Sequence, residues 1–254
     1  MDRVLEAMVE AARAGGEIAL AHFRRGVEAT LKPDGSPVTE ADREAEEVIA
    51  RTLGAACPEH GVLGEELGAR GPSERRFIVD PIDGTRNFIR GIPLWATLVG
   101  LEEHGEVTAG VVYQPVTRDL HTARRGQGAF LNGEPLQVSR IAALEEATLV
   151  HATLGLLRRE GYWGAFLRLV DRTGLQRGFG DFLCYTMVAE GKGEIALAPG
   201  VKPWDLAAVK ILVEEAGGRF TDLAGAFTIY SGTALGTNGR LHDLALAVIR
   251  GHSP

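Results

Sequence analysis

The sequence predicts an α+β fold that passes into α/β, with a strand-rich, antiparallel N-terminal half (residues 1–140) and a C-terminal half (141–254) in which strands and helices alternate. Three observations carry this expectation. Two amphipathic helical stretches open the chain. Short apolar runs separated by tight-turn residues fill the stretch from Leu94 to Gly133. From Thr148 onward, strand-like and helix-like patterns alternate to the end. A chain of 254 residues can hold one large domain or two small ones with ample core. Its 45% hydrophobic and 24% charged content is ordinary for a globular protein.

Each element follows from its local pattern. Between residues 2 and 25, Leu5, Met8, Ala12, Gly15, Gly16, Ala19 and Phe23 share one helical stripe, a helix able to pack closely at its glycines. Lys32 to Pro37 is rich in turn residues. Thr39-Glu40-Ala41-Asp42 has the form of a capping box, opening a helix with Ala45, Val48, Ile49 and Leu53 inward and Glu44, Glu46 and Glu47 outward. Val62-Leu63-Gly64 reads as a strand whose end carries Glu65 and Glu66. Phe77-Ile78-Val79 reads as a short buried strand. Antiparallel strands are predicted at 94–101, 107–113 and 120–123, with an Asn132-Gly133 hairpin signal after them. Further strands are predicted near 148–151, 175–178, 194–198 and 233–237. Helices are predicted near 160–171, 182–191, 204–216 and 240–250.

Asp80-Pro81-Ile82-Asp83-Gly84-Thr85 is the most informative segment. Two carboxylates emerge where an apolar strand ends, Pro81 stiffens the backbone between them, and Gly84 permits a tight turn. Thr85 opens a helical turn whose first N–H groups suit an anion. Hard oxygen ligands beside an anion pocket suit Mg²⁺ holding a phosphate; two aspartates capping a helix are the simpler alternative for such a segment in isolation. The net charge of −7 and the lack of a Lys/Arg block argue against nucleic-acid binding. They leave an anionic substrate open, because bound cations invert the local field. Two distant cysteines make a disulfide framework or zinc site improbable, and a reducing cytoplasm is expected. No apolar run approaches the length of a secretory signal or membrane span. The seven histidines form no metal-binding signature, and neither a nucleophile–base motif nor a Walker-type phosphate loop is present.

Gly64-Glu65-Glu66, the run from Asp80 to Phe88, and Trp204-Asp205-Leu206-Ala207-Ala208 together resemble the three defining motifs of the inositol monophosphatase family, in order and at fitting separations. Segments 110–115, 126–133 and 214–218 resemble its connecting segments, so the likeness spans essentially the whole chain. The resemblance implies a layered αβαβα sandwich and a Mg²⁺-dependent phosphate monoester hydrolase with two to three ions, Mn²⁺ as a substitute and Li⁺ as an inhibitor. It implies that Glu65, Asp80 and the Ile82 carbonyl hold one ion, and that Asp80, Asp83 and Asp205 hold a second. A third, weaker ion would lean on Glu65 through water. Gly84 and Thr85 N–H groups would receive the phosphate, and Asp83 would also touch a substrate hydroxyl. Thr85, hydrogen-bonded to Asp42, would orient or deprotonate the attacking water, with Glu65, Thr85 and Asp42 as the catalytic set. Lys32 would add a supporting charge.

Substrate identity is less legible. Inositol 1-phosphate is the family default. However, inositol-type members carry a glutamate seven positions before the last metal aspartate, where this chain has Ala198. Asp181, in Gly180-Asp181-Phe182, is more like the histidinol-phosphate branch, where an acid could meet the substrate's ammonium; a helix N-cap is its alternative role. Glu190 or Glu194 could compensate for Ala198. Fructose 1,6-bisphosphate and adenosine 3′,5′-bisphosphate are other family substrates. A regulatory binding protein of the same fold is the reading from another class. A homodimer is expected by resemblance alone.

Overall fold

The computed structural model describes residues 2–26, 29–31 and 37–251. Helix α1 (Arg3–Arg25) and the short strands β1 (Thr30–Leu31) and β2 (Pro37–Val38) lead into helix α2 (Glu40–Ala56). Strands β3 (Gly61–Gly64), β4 (Gly68–Arg70) and β5 (Arg75–Asp83) precede the single turn α3 (Thr85–Phe88). Then follow β6 (Ala96–Glu103), β7 (Glu106–Gln114), β8 (Asp119–Arg124), β9 (Gly128–Leu131) and β10 (Glu134–Pro135). The remainder is β11 (Thr148–His151), α4 (Leu154–Arg159), α5 (Trp163–Val170), β12 (Leu175–Arg177), α6 (Asp181–Ala189), β13 (Ile195–Pro199), α7 (Pro203–Glu215), β14 (Arg219–Thr221), β15 (Thr233–Thr237) and α8 (His242–Arg250).

Two sheets organise the molecule. The larger runs β10-β9-β8-β7-β6-β5-β3-β4, antiparallel except where β3 lies parallel to β5. The smaller runs β12-β11-β13-β15-β14, with β11 parallel to both β12 and β13. Alternate residues of each strand point to opposite faces, and the packing follows that period. Phe77 and Val79 of β5 meet Leu5, Met8, Ile49 and Leu53 of α1 and α2. Ile78 between them faces the opposite way, into a core with Leu206, Val209 and Leu212 of α7 and Val188 of α6. Ala196 of β13 reaches the same core from the smaller sheet, while Ile195 and Leu197 turn outward to Leu157, Phe166 and Leu246. The layers are therefore α1/α2, large sheet, α6/α7, small sheet and α4/α5/α8, the αβαβα sandwich.

Close approach between layers depends on glycine. A Cβ at Gly110 on β7 would lie 2.5 Å from Ala208 O and 2.6 Å from Ile211 Cγ2 of α7. The backbone oxygen cannot swing aside, so Gly110→Ala should destabilise by about 1–3 kcal/mol and lower the melting temperature by about 5 °C. An unchanged melting curve would mean that α7 rides farther from the sheet than this packing requires.

Several expectations need correction. The strand anticipated at 77–79 runs from Arg75 through Asp83, so the aspartates lie within it rather than beyond its end. Glu46, assigned to the outer face of its helix, is fully buried. Strands β4 and β14 and helix α4 were not anticipated; each has six residues or fewer, too short for a periodic signal. The capping box at Thr39 is present, with Asp42 Oδ2 accepting from Thr39 N and Oγ1, both at 2.7 Å.

Candidate active site

Two carboxylates three residues apart on a regular strand would face opposite ways. In β5 the pairing with β6 shifts between Asp80, opposite Leu98, and Asp83, opposite Ala96. Three steps on one strand thus match two on the other. This one-residue bulge rotates both aspartates to the same side. Pro81, which cannot donate to the ladder, sits within the bulge, and Thr97 Oγ1 donates to its carbonyl at 2.9 Å. Asp80 Oδ1 accepts from Ile82 N at 3.0 Å, pinning the irregular backbone from within.

Asp205 joins them from the third position of α7, where Lys202 N donates to its Oδ2 at 2.7 Å. Ligand oxygens of Asp80, Asp83 and Asp205 all lie within 4.8 Å of one another. Glu65 is outside that trio but lines the same cleft, following β3, with its N–H donating to Val79 O at 3.2 Å. The cleft holds about 230 Å³, the scale of a small metabolite.

Burial, then the neighbouring charges of Glu65, Asp83 and Asp205, pushes the Asp80 carboxyl far above its usual range. Burial followed by Asp181 and Asp205 does the same to Asp83, although Phe182 N donates to its Oδ2 at 2.6 Å. Asp205 is pushed up to about 7, mainly by burial. Packed carboxylates that repel one another in a dry site are compensated either by protons or by a cation. A set of hard oxygen donors with this spacing fits a divalent ion such as Mg²⁺.

The other expected residues fall as follows. Ile82 is buried, and its carbonyl accepts from Thr85 Oγ1 at 3.0 Å. That is a correction: the Thr85 hydroxyl bonds Ile82 rather than Asp42, whose oxygen is engaged by Thr39. Gly84 has φ +92°, and a Cβ there would meet Leu94 O at 2.9 Å. Lys32 lies outside the described residues. Asp181 is the first residue of α6 with Gly180 in the cap position, so it is not the N-cap. It lines the cleft at φ +52°, with Asn87 Nδ2 donating to Oδ2 at 3.3 Å. Burial raises its carboxyl to about 6, with Arg86 pulling the other way. Ala198 lines the cleft, but Glu190 and Glu194 do not compensate for it: Glu190 pairs with His121 and Glu194 accepts from Thr148 N.

Tyr185 was missed. It lines the cleft, and its buried hydroxyl has no hydrogen-bond partner. Its place four residues after Asp181, on the same face of α6, was the available signal. Among the described residues a second group of converging donors, Cys57, Glu59 and His60, lies after α2. Burial and the charge of Glu59 raise the Cys57 thiol, which keeps it in its poorly ligating neutral form.

The layered fold and the convergent carboxylates define a phosphatase. The chain belongs to the inositol monophosphatase family, whose profile matches residues 1–253. It is 46% identical over 221 residues to the histidinol-phosphatase of Mycobacterium tuberculosis H37Rv, covering 85% of each chain. It is 37% identical over 231 residues to the inositol-1-monophosphatase of Mesorhizobium japonicum, covering 87% of this chain and 86% of the relative. The crystal structure of the extragenic suppressor protein suhB from Bartonella henselae superposes with a TM-score of 0.92 at 32% identity, covering 98% of this chain and 99% of that one. No helix among the described residues is long and apolar enough to cross a membrane.

Proposed function

We propose that the protein is a Mg²⁺-dependent hydrolase of small phosphate monoesters, favouring an ester that carries an ammonium group, histidinol phosphate above all. The observation behind the metal requirement is the convergence of Asp80, Asp83 and Asp205 within 4.8 Å. With Glu65 and the Ile82 carbonyl they would hold two to three ions, with Mn²⁺ able to substitute and Li⁺ inhibitory. Such ions, when bound, neutralise phosphate charge and acidify water. The chain's own groups do the rest. Gly84 and Thr85 N–H groups, at a turn with no intrahelical acceptor for them, face the phosphate. Thr85 Oγ1 orients the attacking water, and Glu65 and Asp42 accept its proton. Lys32 adds positive charge. Residues 1–140 and 141–254 act as two units, the first supplying most ligands and the second Asp205 and Asp181. A homodimer in the cytoplasm completes the proposal, and sedimentation analysis tests the dimer.

Asp181 supports the substrate preference. A non-glycine residue at φ +52° is strained by about 1–3 kcal/mol, and such strain persists where function uses it. Its carboxylate stands apart from the trio, so a substrate cation is the complement it lacks. Ala198 meanwhile offers no acceptor for sugar hydroxyls. The greater identity to the histidinol-phosphatase points the same way. Inositol 1-phosphate is the second reading, favoured by the Mesorhizobium relative. A purely regulatory role leaves the carboxylate convergence without a purpose.

Steady-state ranking of histidinol phosphate, inositol 1-phosphate, fructose 1,6-bisphosphate and adenosine 3′,5′-bisphosphate by kcat/KM tests the preference. Asp181→Asn should lower kcat/KM for histidinol phosphate by about 10–100-fold, the worth of a desolvated charge contact, with a much smaller loss on inositol 1-phosphate. Equal losses on both substrates would reduce Asp181 to a structural role.

A further inference from the structure

Glu46 holds a buried carboxylate in a place that neither helix amphipathicity nor capping explains. It sits on α2, one turn after Asp42, with no exposed surface. Its Oε2 accepts from Glu66 N at 2.8 Å and its Oε1 accepts from Leu67 N at 2.9 Å. Both donors belong to the tight turn between β3 and β4 that begins at Glu65. The approach is so close that a Cβ on Gly64 would fall 1.8 Å from Glu46 Oε1. On the other side of the turn, Glu65 N donates to Val79 O, one residue before Asp80. The backbone carrying Glu65 is therefore clamped between α2 and the strand that carries Asp80 and Asp83.

Resting on the metal-dependent phosphatase reading, we propose that Glu46 is a positioning residue: its two carboxylate oxygens fix the turn at Glu66 and Leu67 so that Glu65 is presented to the cleft before any ion binds. Two successive backbone N–H groups need a two-oxygen acceptor, which a carboxylate supplies and an amide does not. Asp42 cannot do this, because its oxygen is engaged by Thr39 of its own helix. A ligand held by an outer partner binds its ion without ordering a loop at that moment. Loss of such partners characteristically weakens metal affinity by about 10–100-fold.

The test is direct binding of Mn²⁺, followed by electron paramagnetic resonance, to wild type, Asp83→Asn, Glu46→Gln and Gly64→Ala. The expected result is tight binding by wild type, loss in Asp83→Asn, and dissociation constants about 10-fold or more weaker in Glu46→Gln and Gly64→Ala. Saturating Mg²⁺ should return the Glu46→Gln turnover toward wild type, because the ligands themselves remain. A role confined to fold stability would lower the melting temperature and leave the dissociation constant within twofold, which overturns the inference. Wild type that binds no Mn²⁺ overturns the phosphatase reading and this inference together. Binding by wild type and by Glu46→Gln alike overturns this inference alone. Amide exchange in metal-free wild type is a measurement that needs no variant to fold. Slow exchange at Glu66 and Leu67 is expected, and exchange at open-loop rates overturns the clamp.

Discussion

Asp83→Asn is expected to cut turnover by about two to three orders of magnitude while the metal-free protein melts at a higher temperature than wild type. Both effects have one origin. Asp83 is almost fully buried, shares the cleft with the repelling charges of Asp181 and Asp205, and its carboxyl is raised far above the usual range. Without a cation, that charge is a liability that asparagine removes. The amide oxygen can still accept from Phe182 N, now 2.6 Å from Oδ2, so the anchor to α6 survives. With a cation, the lost charge leaves the site short of a ligand. Activity assays with Mg²⁺ and melting curves in chelator measure the two halves separately. A variant that loses activity and also melts lower without metal would show that Asp83 serves the fold rather than an ion.

The second large effect is a fall in stability of the metal-free protein as pH rises from about 5.5 to 8. Burial raises Asp42 to about 6, Glu46 to about 7 and Asp205 to about 7, against ordinary carboxyl values near 4. Between those limits the native state keeps protons that the unfolded chain has released. The stability they confer is complete below about pH 4 and is lost as pH climbs through 6 and 7. His242 acts oppositely. Held between Thr221 and Thr237 and lowered to about 4, it costs stability as pH falls below 6.5. One group does not outweigh three over the upper part of the range. With about 1.4 kcal/mol per pKa unit, a net fall in melting temperature of about 10 °C is expected. Saturating Mg²⁺ should abolish most of it at pH 8, since a cation replaces the protons. A melting temperature that rises with pH in chelator would mean that these acids are ionised and compensated in the metal-free fold.

Local signals specified much of this molecule. The stripe of Leu5, Met8 and Ala12, the capping box at Thr39 and the apolar alternation of the large sheet each record a face or an end that water and packing impose on a few neighbouring residues. The spaced acidic motifs likewise marked Glu65, Asp80, Asp83 and Asp205 as one chemical set. What the residues could not reveal is geometry that depends on a partner far along the chain. The bulge that turns Asp80 and Asp83 to one side exists only because β6 pairs out of step with β5. Glu46 looks solvated in a helical pattern because its acceptor role depends on a turn twenty residues away. Asp181 as a strained acid in the cleft, and Tyr185 with its unpartnered hydroxyl, depend on α6 docking between the two sheets. Sequence periodicity reports which side of an element is apolar. The direction and protonation of a buried carboxylate are decided by the groups that surround it once the layers close.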